Sequence, residues 1–293
     1  MKTSRSEFHD IRGIRHHVRL WGEADRPKLF LLHGWMDVSA SFQFLVDAFK
    51  RNWLVIAPDW RGFGLSDWTR EGYWFQDYYA DLDALLGIYS PDAPANIVGH
   101  SMGGNISCTY AGIRPERVQK LISLEGFGTR RSRPGMAPAR YERWLNELRE
   151  PPALRPYVSF DAVAERLRRN NPRLTADQAH FLAQHWARKS DNPADNGNIV
   201  LRFDPRHKIV NPILNHVDEL IACWQRVTCP VLWVVSNEVD KRSWRKDSPT
   251  ELDERKSAFR DLREILLEDC GHMMHHDQPE RLAAIIETFL LRD

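Results

Sequence analysis

Along residues 1–126, short uninterrupted apolar runs alternate with stretches in which apolar residues recur every three or four positions. Runs of the first kind suit strands buried on both faces, and the second spacing suits helices that bury one side. Lys28 to Leu32 and Trp53 to Ala57 read as strands. Between them, Phe42, Leu45, Val46 and Phe49 form a helical stripe within Ser41 to Phe49. A second stripe joins Phe75, Tyr78, Leu82, Leu85, Leu86 and Tyr89. An apolar run ending at Gly99, the helical pattern after it and a strand at Lys120 to Leu124 complete this part. Strand and helix in alternation predict an α/β fold with a mostly parallel sheet flanked by helices.

The rhythm breaks after Gly126. From Phe127 to Arg226 the chain is rich in Arg and Pro, with helical patterns but no convincing buried strand, which predicts a helical insertion. Thr175-Ala176-Asp177-Gln178 has the form of a capping box, and Phe181, Leu182, His185 and Trp186 share the face of the helix it opens. Strands resume at Val231 to Val235 and Glu264 to Leu267. A last helix from about Pro279 carries Leu282, Ile285, Ile286, Phe289 and Leu290. The expected organisation is a core of residues 1–126 and 227–293 interrupted by a cap of residues 127–226.

Composition narrows the function classes. The chain has 293 residues, 41 Lys and Arg against 40 Asp and Glu, and a formal charge of +1. Such a balance provides no field to draw in nucleic acid or an anionic membrane, so a small-molecule substrate is expected, with the oligomeric state left open. No apolar run is long enough to span a bilayer and the first residues lack a secretory core, so a cytoplasmic location is expected. Cys108, Cys223, Cys229 and Cys270 form no Cys-x-x-Cys pair, in keeping with reduced thiols.

The chemistry concentrates at Gly99-His100-Ser101-Met102-Gly103, which lies between an apolar run and a helical pattern. A strand-to-helix turn this sharp strains the serine backbone and brings neighbouring chain close, which explains the flanking glycines. It makes Ser101 the candidate nucleophile. A serine hydroxyl must pass its proton to a base, and His272 in Cys270-Gly271-His272 follows the penultimate predicted element, where loops gather on the serine's side of a parallel sheet. His100 is held by the turn itself. The base needs an acid to orient it: Asp240, after the strand Val231 to Val235, is preferred, Glu125 is the alternative and Glu238 a third. Backbone amides of Met102 and of Trp35, in His33-Gly34-Trp35, are the expected oxyanion donors. Met273-Met274-His275-His276 lacks carboxylates or cysteines at ligand spacing, so no metal is expected there and both histidines are assigned surface or packing roles. Trp35, Phe127, Trp144 and Trp186 are candidate pocket walls, and Arg130, Arg131 and Arg133 are expected to form a solvated loop.

Taken together, His33-Gly34-Trp35, Pro58 to Ser66, the turn at Ser101, Cys229 to Val235 and Gly271-His272 resemble an α/β-hydrolase over nearly the whole chain. Within that superfamily His33 to Asp37 and Leu201 to Arg206 are similar to the serine hydrolase-like proteins. The resemblance implies a cofactor-independent hydrolase acting on an ester or related acyl compound through an acyl-enzyme on Ser101, with the insertion as a lid. Carbon–carbon bond hydrolysis and cofactor-free perhydrolysis on the same scaffold, and a non-catalytic binding member, are the alternatives. Relatives that dehalogenate or open epoxides carry aspartate at the nucleophile position, where this chain has Ser101. The family glycine three residues before the acid is replaced by Asn237, which keeps Glu125 in contention.

Overall fold

The computed structural model describes residues 1–238 and 249–292, so Asp240 lies outside the described residues. Eight strands form one sheet: β1 (Ser4–Ile11), β2 (Ile14–Trp21), β3 (Lys28–Leu32), β4 (Leu54–Pro58), β5 (Ala95–His100), β6 (Val118–Leu124), β9 (Val231–Ser236) and β10 (Leu262–Leu267). Their order is β1-β2-β4-β3-β5-β6-β9-β10. From β4 to β10 neighbours run parallel, whereas β2 runs antiparallel to both β1 and β4. The fold is that of an α/β-hydrolase.

Strand alternation divides the interior into two cores. On β3, Phe30 and Leu32 enter one and Leu29 and Leu31 the other; on β9, Val231, Trp233 and Val235 oppose Leu232 and Val234. Helices α2 (Phe75–Tyr89), α3 (Met102–Ile113) and α7 (Val217–Trp224) cover the first face. Helices α1 (Gln43–Ala48), α9 (Met274–Asp277) and α10 (Pro279–Leu291) cover the second, and α8 (Pro249–Ser257) precedes β10. Burial on both faces explains why the inner strands read as unbroken apolar runs, each large side chain contributing roughly 1.5–3 kcal/mol. The outer strand β1 alternates instead, as one solvated face requires.

Between β6 and β9 lie α4 (Ala137–Arg149), α5 (Phe160–Asn170), α6 (Ala176–Trp186), a two-stranded ladder of β7 (Ala187–Lys189) with β8 (Ile199–Leu201), and α7. The ladder was not expected: three-residue strands are too short to show a period. Thr175 and Gln178 cap α6 reciprocally at 3.0 and 3.2 Å. Helix α4 buries no residue, whereas α7 packs on α3 of the core. The segment after β8 clasps the core loop after β4. Gly64 N–H donates to Arg202 O at 2.7 Å and Asp204 N–H to Gly62 O at 2.9 Å, with Phe63 bridging Phe203. Tyr73 Oη donates to Asp204 Oδ2 at 2.8 Å, and His207 stacks between Phe63 and Tyr73 with ring centroids 3.8 and 3.5 Å away.

Candidate active site

Strand β5 ends at His100 and α3 starts at Met102, so Ser101 alone makes the turn. Its backbone sits at φ 50°, ψ −111°, a conformation that costs a non-glycine residue on the order of 1–3 kcal/mol and persists only where its surroundings enforce it. They do so tightly. Ser101 N–H donates to Leu124 O of β6 at 2.7 Å, and a Cβ at Gly99 would stand 2.4 Å from Gly103 O. At Gly103 a Cβ would stand 2.2 Å from Leu32 O of β3. Both glycines are therefore required by close backbone approach, as the motif implies.

Glu125 follows β6 directly and is buried, with φ 59°. Its Oε1 accepts from Ser236 N–H at 2.6 Å, and its Oε2 lies 3.8 Å from His272 Nδ1. That separation is an ion-pair distance, longer than a hydrogen bond, and such contacts commonly tighten when a substrate closes the site. Burial pushes the Glu125 carboxyl up, but His272 and Ser236 outweigh it and hold the group below the ordinary glutamate range. The His272 side chain is 40% exposed, so it is open to a substrate as well as to its carboxylate. Of the other acids considered, Glu238 is exposed and pairs with Arg173.

The loop after β3 approaches from the other side. A Cβ at Gly34 would lie 3.2 Å from Ser101 Cβ, so Trp35 enters the serine's neighbourhood. His33 anchors this turn: its Nδ1–H donates to Gly34 O at 2.8 Å and its Nε2 accepts from Trp60 N–H at 2.9 Å, which determines the tautomer. Burial lowers the His33 pKa and keeps the ring neutral for that double role. Trp35 and Met102 line one cavity of about 260 Å³, with Tyr73, Trp74, Tyr78 and Trp144 of α4. A larger cavity of about 510 Å³ touches α3 at Asn105 and Thr109, one and two turns beyond Ser101, and includes neither Trp35 nor Met102. Phe75 lines both.

Two of the candidate walls lie elsewhere. Phe127 is fully buried and stacks on Trp233 with centroids 4.2 Å apart, and on Trp224 of α7 at 5.6 Å. Trp186, at the end of α6, packs against the core rather than lining either cavity. In the arginine cluster, Arg131 is tied to Asp218 and Glu254. The surface alternative for His275 and His276 is corrected: both are buried, since α9 turns inward against α1. His276 Nε2 meets Ser41 Oγ at 2.6 Å, and burial takes both imidazoles down to about 3. The chain reading also missed that His100 Nε2–H donates to His272 O at 2.8 Å, a link across 172 positions that no local pattern announces. Among the described residues no helix is long and apolar enough to cross a membrane.

A sequence model of the alpha/beta hydrolase family matches residues 29–285. A serine hydrolase-like protein of Danio rerio is 26% identical over 99% of this chain and 90% of its own length. Serine hydrolase-like protein 2 of Homo sapiens is 24% identical, covering 93% of this chain and 90% of its own. Among solved structures, a thioesterase domain from the curacin biosynthetic pathway superposes with TM-score 0.85 at 22% identity, over 98% of this chain and 99% of that one. An esterase of Mycobacterium tuberculosis does so with TM-score 0.72 at 21% identity, over 99% and 92%.

Proposed function

The chain belongs to the alpha/beta hydrolase family, and from that premise we propose that it is a serine hydrolase cleaving an ester or related acyl compound. The observation that carries the reading is the strained Ser101 turn at the end of β5, beside a strand end whose Glu125 lies 3.8 Å from His272. Ser101 Oγ attacks the acyl carbon as His272 takes its proton. Glu125, ionised because its pKa is held low, stabilises the imidazolium and orients the ring. The Met102 and Trp35 amides receive the developing oxyanion, a role supported by the cavity those residues share. Collapse of the tetrahedral species expels the alcohol or thiol with the proton from His272. Water, deprotonated by the same ring, then releases the acid and restores Ser101.

A serine hydrolase-like protein among its relatives, and an esterase and a thioesterase domain among its structural neighbours, support oxygen and sulfur esters as the substrate class. The cap residue Trp144 in the wall of the Trp35–Met102 cavity supports a lid that selects what enters. Free thiols at Cys108, Cys223, Cys229 and Cys270 support the cytoplasm as the compartment.

A fluorophosphonate probe tests the nucleophile. Wild-type protein is expected to label with one equivalent and to lose p-nitrophenyl ester hydrolysis in step, while folded Ser101→Ala does neither. Equal labelling of the two proteins would remove Ser101 from its role. Turnover of a vinylogous diketone or of peroxide with acetate, without ester turnover, would replace ester cleavage with one of the other chemistries open to this scaffold.

A further inference from the structure

Next to the serine in the chain and in space, three polar side chains from separate segments converge. Asp37 follows the turn after β3, His100 ends β5 and His275 lies in α9. They are 2%, 1% and 0% exposed. Asp37 Oδ2, His100 Nδ1 and His275 Nδ1 are all buried without a hydrogen-bond partner among the described residues. One carboxylate oxygen of Asp37 and one ring nitrogen of each histidine lie within 4.8 Å of one another.

The remaining atoms of the same side chains are engaged. His100 Nε2 must carry a proton, because it donates to the carbonyl oxygen of His272 at 2.8 Å, and that leaves Nδ1 of the neutral ring with a bare lone pair. Asp37 Oδ1 accepts from Val38 N–H at 2.8 Å, which orients Oδ2 inward. His275 Nε2 stands 3.7 Å from Asp37 Oδ2 and 3.4 Å from Ser41 Oγ. Asp37 Oδ2 and the bare lone pair of His100 Nδ1 therefore face one another without a bonded donor among the described residues, a costly arrangement that a positively charged group among them would relieve.

We propose that Asp37, His100 and His275 form a buried binding site for a divalent transition-metal ion of the zinc class. Two imidazoles and one carboxylate suit zinc, whereas magnesium and calcium prefer oxygen throughout. Atoms no more than 4.8 Å apart share a point within about 2.8 Å of each, so inward shifts of under about 1 Å bring them to the 2.0–2.2 Å of zinc ligation. An outer shell is present as well: a ligating histidine usually donates its second N–H to a carbonyl or carboxylate, as His100 does to His272. The carboxylate comes from Asp37, 63 positions before His100 and 238 before His275, which is why spacing within 273–276 pointed away from a metal. Because His100 holds the His272 carbonyl, an ion at this site also stiffens the loop that carries His272.

The test is metal uptake by the intact chain, read without activity. Full-length protein carrying Ser101→Ala keeps all three ligands, so its result is independent of the serine hydrolase reading. It is expected to take up one Zn²⁺ per chain in competition with a chromophoric chelator and to gain thermal stability. With Co²⁺ in place of zinc it is expected to show intense visible absorption of a four-coordinate site. Asp37→Asn and His275→Gln, checked for folding by circular dichroism, are expected to weaken uptake at least ~10-fold, while His180→Gln on the exposed face of α6 leaves it unchanged. Absence of stoichiometric uptake, a weak six-coordinate Co²⁺ spectrum, or uptake insensitive to both folded variants would each overturn the proposal. The Co²⁺ spectrum of the parent chain decides the matter even where a variant fails to fold.

Discussion

The turn at Ser101 and the clasp between the segment after β8 and the loop after β4 differ in how they are held. Around Ser101 the restraints are backbone to backbone: the first residues of α3 leave no space for a Cβ at Gly99, and the end of β3 leaves none at Gly103. At the clasp, backbone bonds at Gly62 and Gly64 are supplemented by side chains, with Tyr73 on Asp204 and His207 between two aromatic rings. Helix α4, which contributes Trp144 to the cavity, buries no residue of its own. A region held by backbone packing tolerates little change in shape, whereas one held by a few polar and stacking contacts can shift when one of them is lost. Under the proposed function, chemistry falls to the ends of the central strands and admission of substrate to the segment between β6 and β9.

The largest expected effect concerns the carboxylate beside His272. Glu125→Gln is expected to lower kcat on an activated ester by roughly 10³–10⁴-fold with little change in KM, whereas Asp240→Asn stays within about threefold of wild type. The opposite outcome in steady-state kinetics would move the acid away from β6. On the cap side the pattern should invert. Tyr73→Phe deletes the bond to buried Asp204 and is expected to cost about 1.5–3 kcal/mol in urea unfolding, with KM affected more than kcat. A loss confined to kcat would erase the division between the two regions.

A smaller effect sharpens the comparison further. Burial first, with His33 and Arg206 nearby acting in the same direction, holds His207 at about 3, against 6.5 for a free imidazole. Its folded pKa is depressed, so the unfolded chain binds the extra proton as pH falls below about 6.5, and stability drains from there down to about 3. Replacing His207 by Gln, which can still donate toward Arg61 O, removes one titrating site. Stability measured between pH 6 and 4 should then fall less steeply, by up to about 1.4 kcal/mol per pH unit. An unchanged slope would mean that the clasp does not keep His207 neutral.

Legibility followed the range of the interactions. The runs at β3, β4, β6 and β9 could be read to within two residues because both faces of those strands are largely buried, which leaves a continuous apolar signature; the edge strand β10, mostly exposed, was read from its short Ile265-Leu266-Leu267 run alone. Strands β1 and β2 were not read, since their polar residues, among them His16 and His17, are paired with Asp81 of α2 and Asp59 of the loop after β4. Within the cap, the capping box was legible because its two residues are three apart. The β7–β8 ladder was not.

The candidate site divides in the same way. By itself the chain determined that Ser101 occupies a strand-to-helix turn between two glycines and that His272 follows the last strand, because both statements concern neighbours along the backbone. Only the tertiary structure decided that Glu125 lies beside His272, that Trp144 rather than Phe127 reaches the cavity, and that Asp37 joins His100 and His275. Those pairings depend on strand order, which brings together residues up to 238 positions apart in the chain. A periodic pattern shows which face of an element turns inward, but the partner waiting there belongs to another part of the chain.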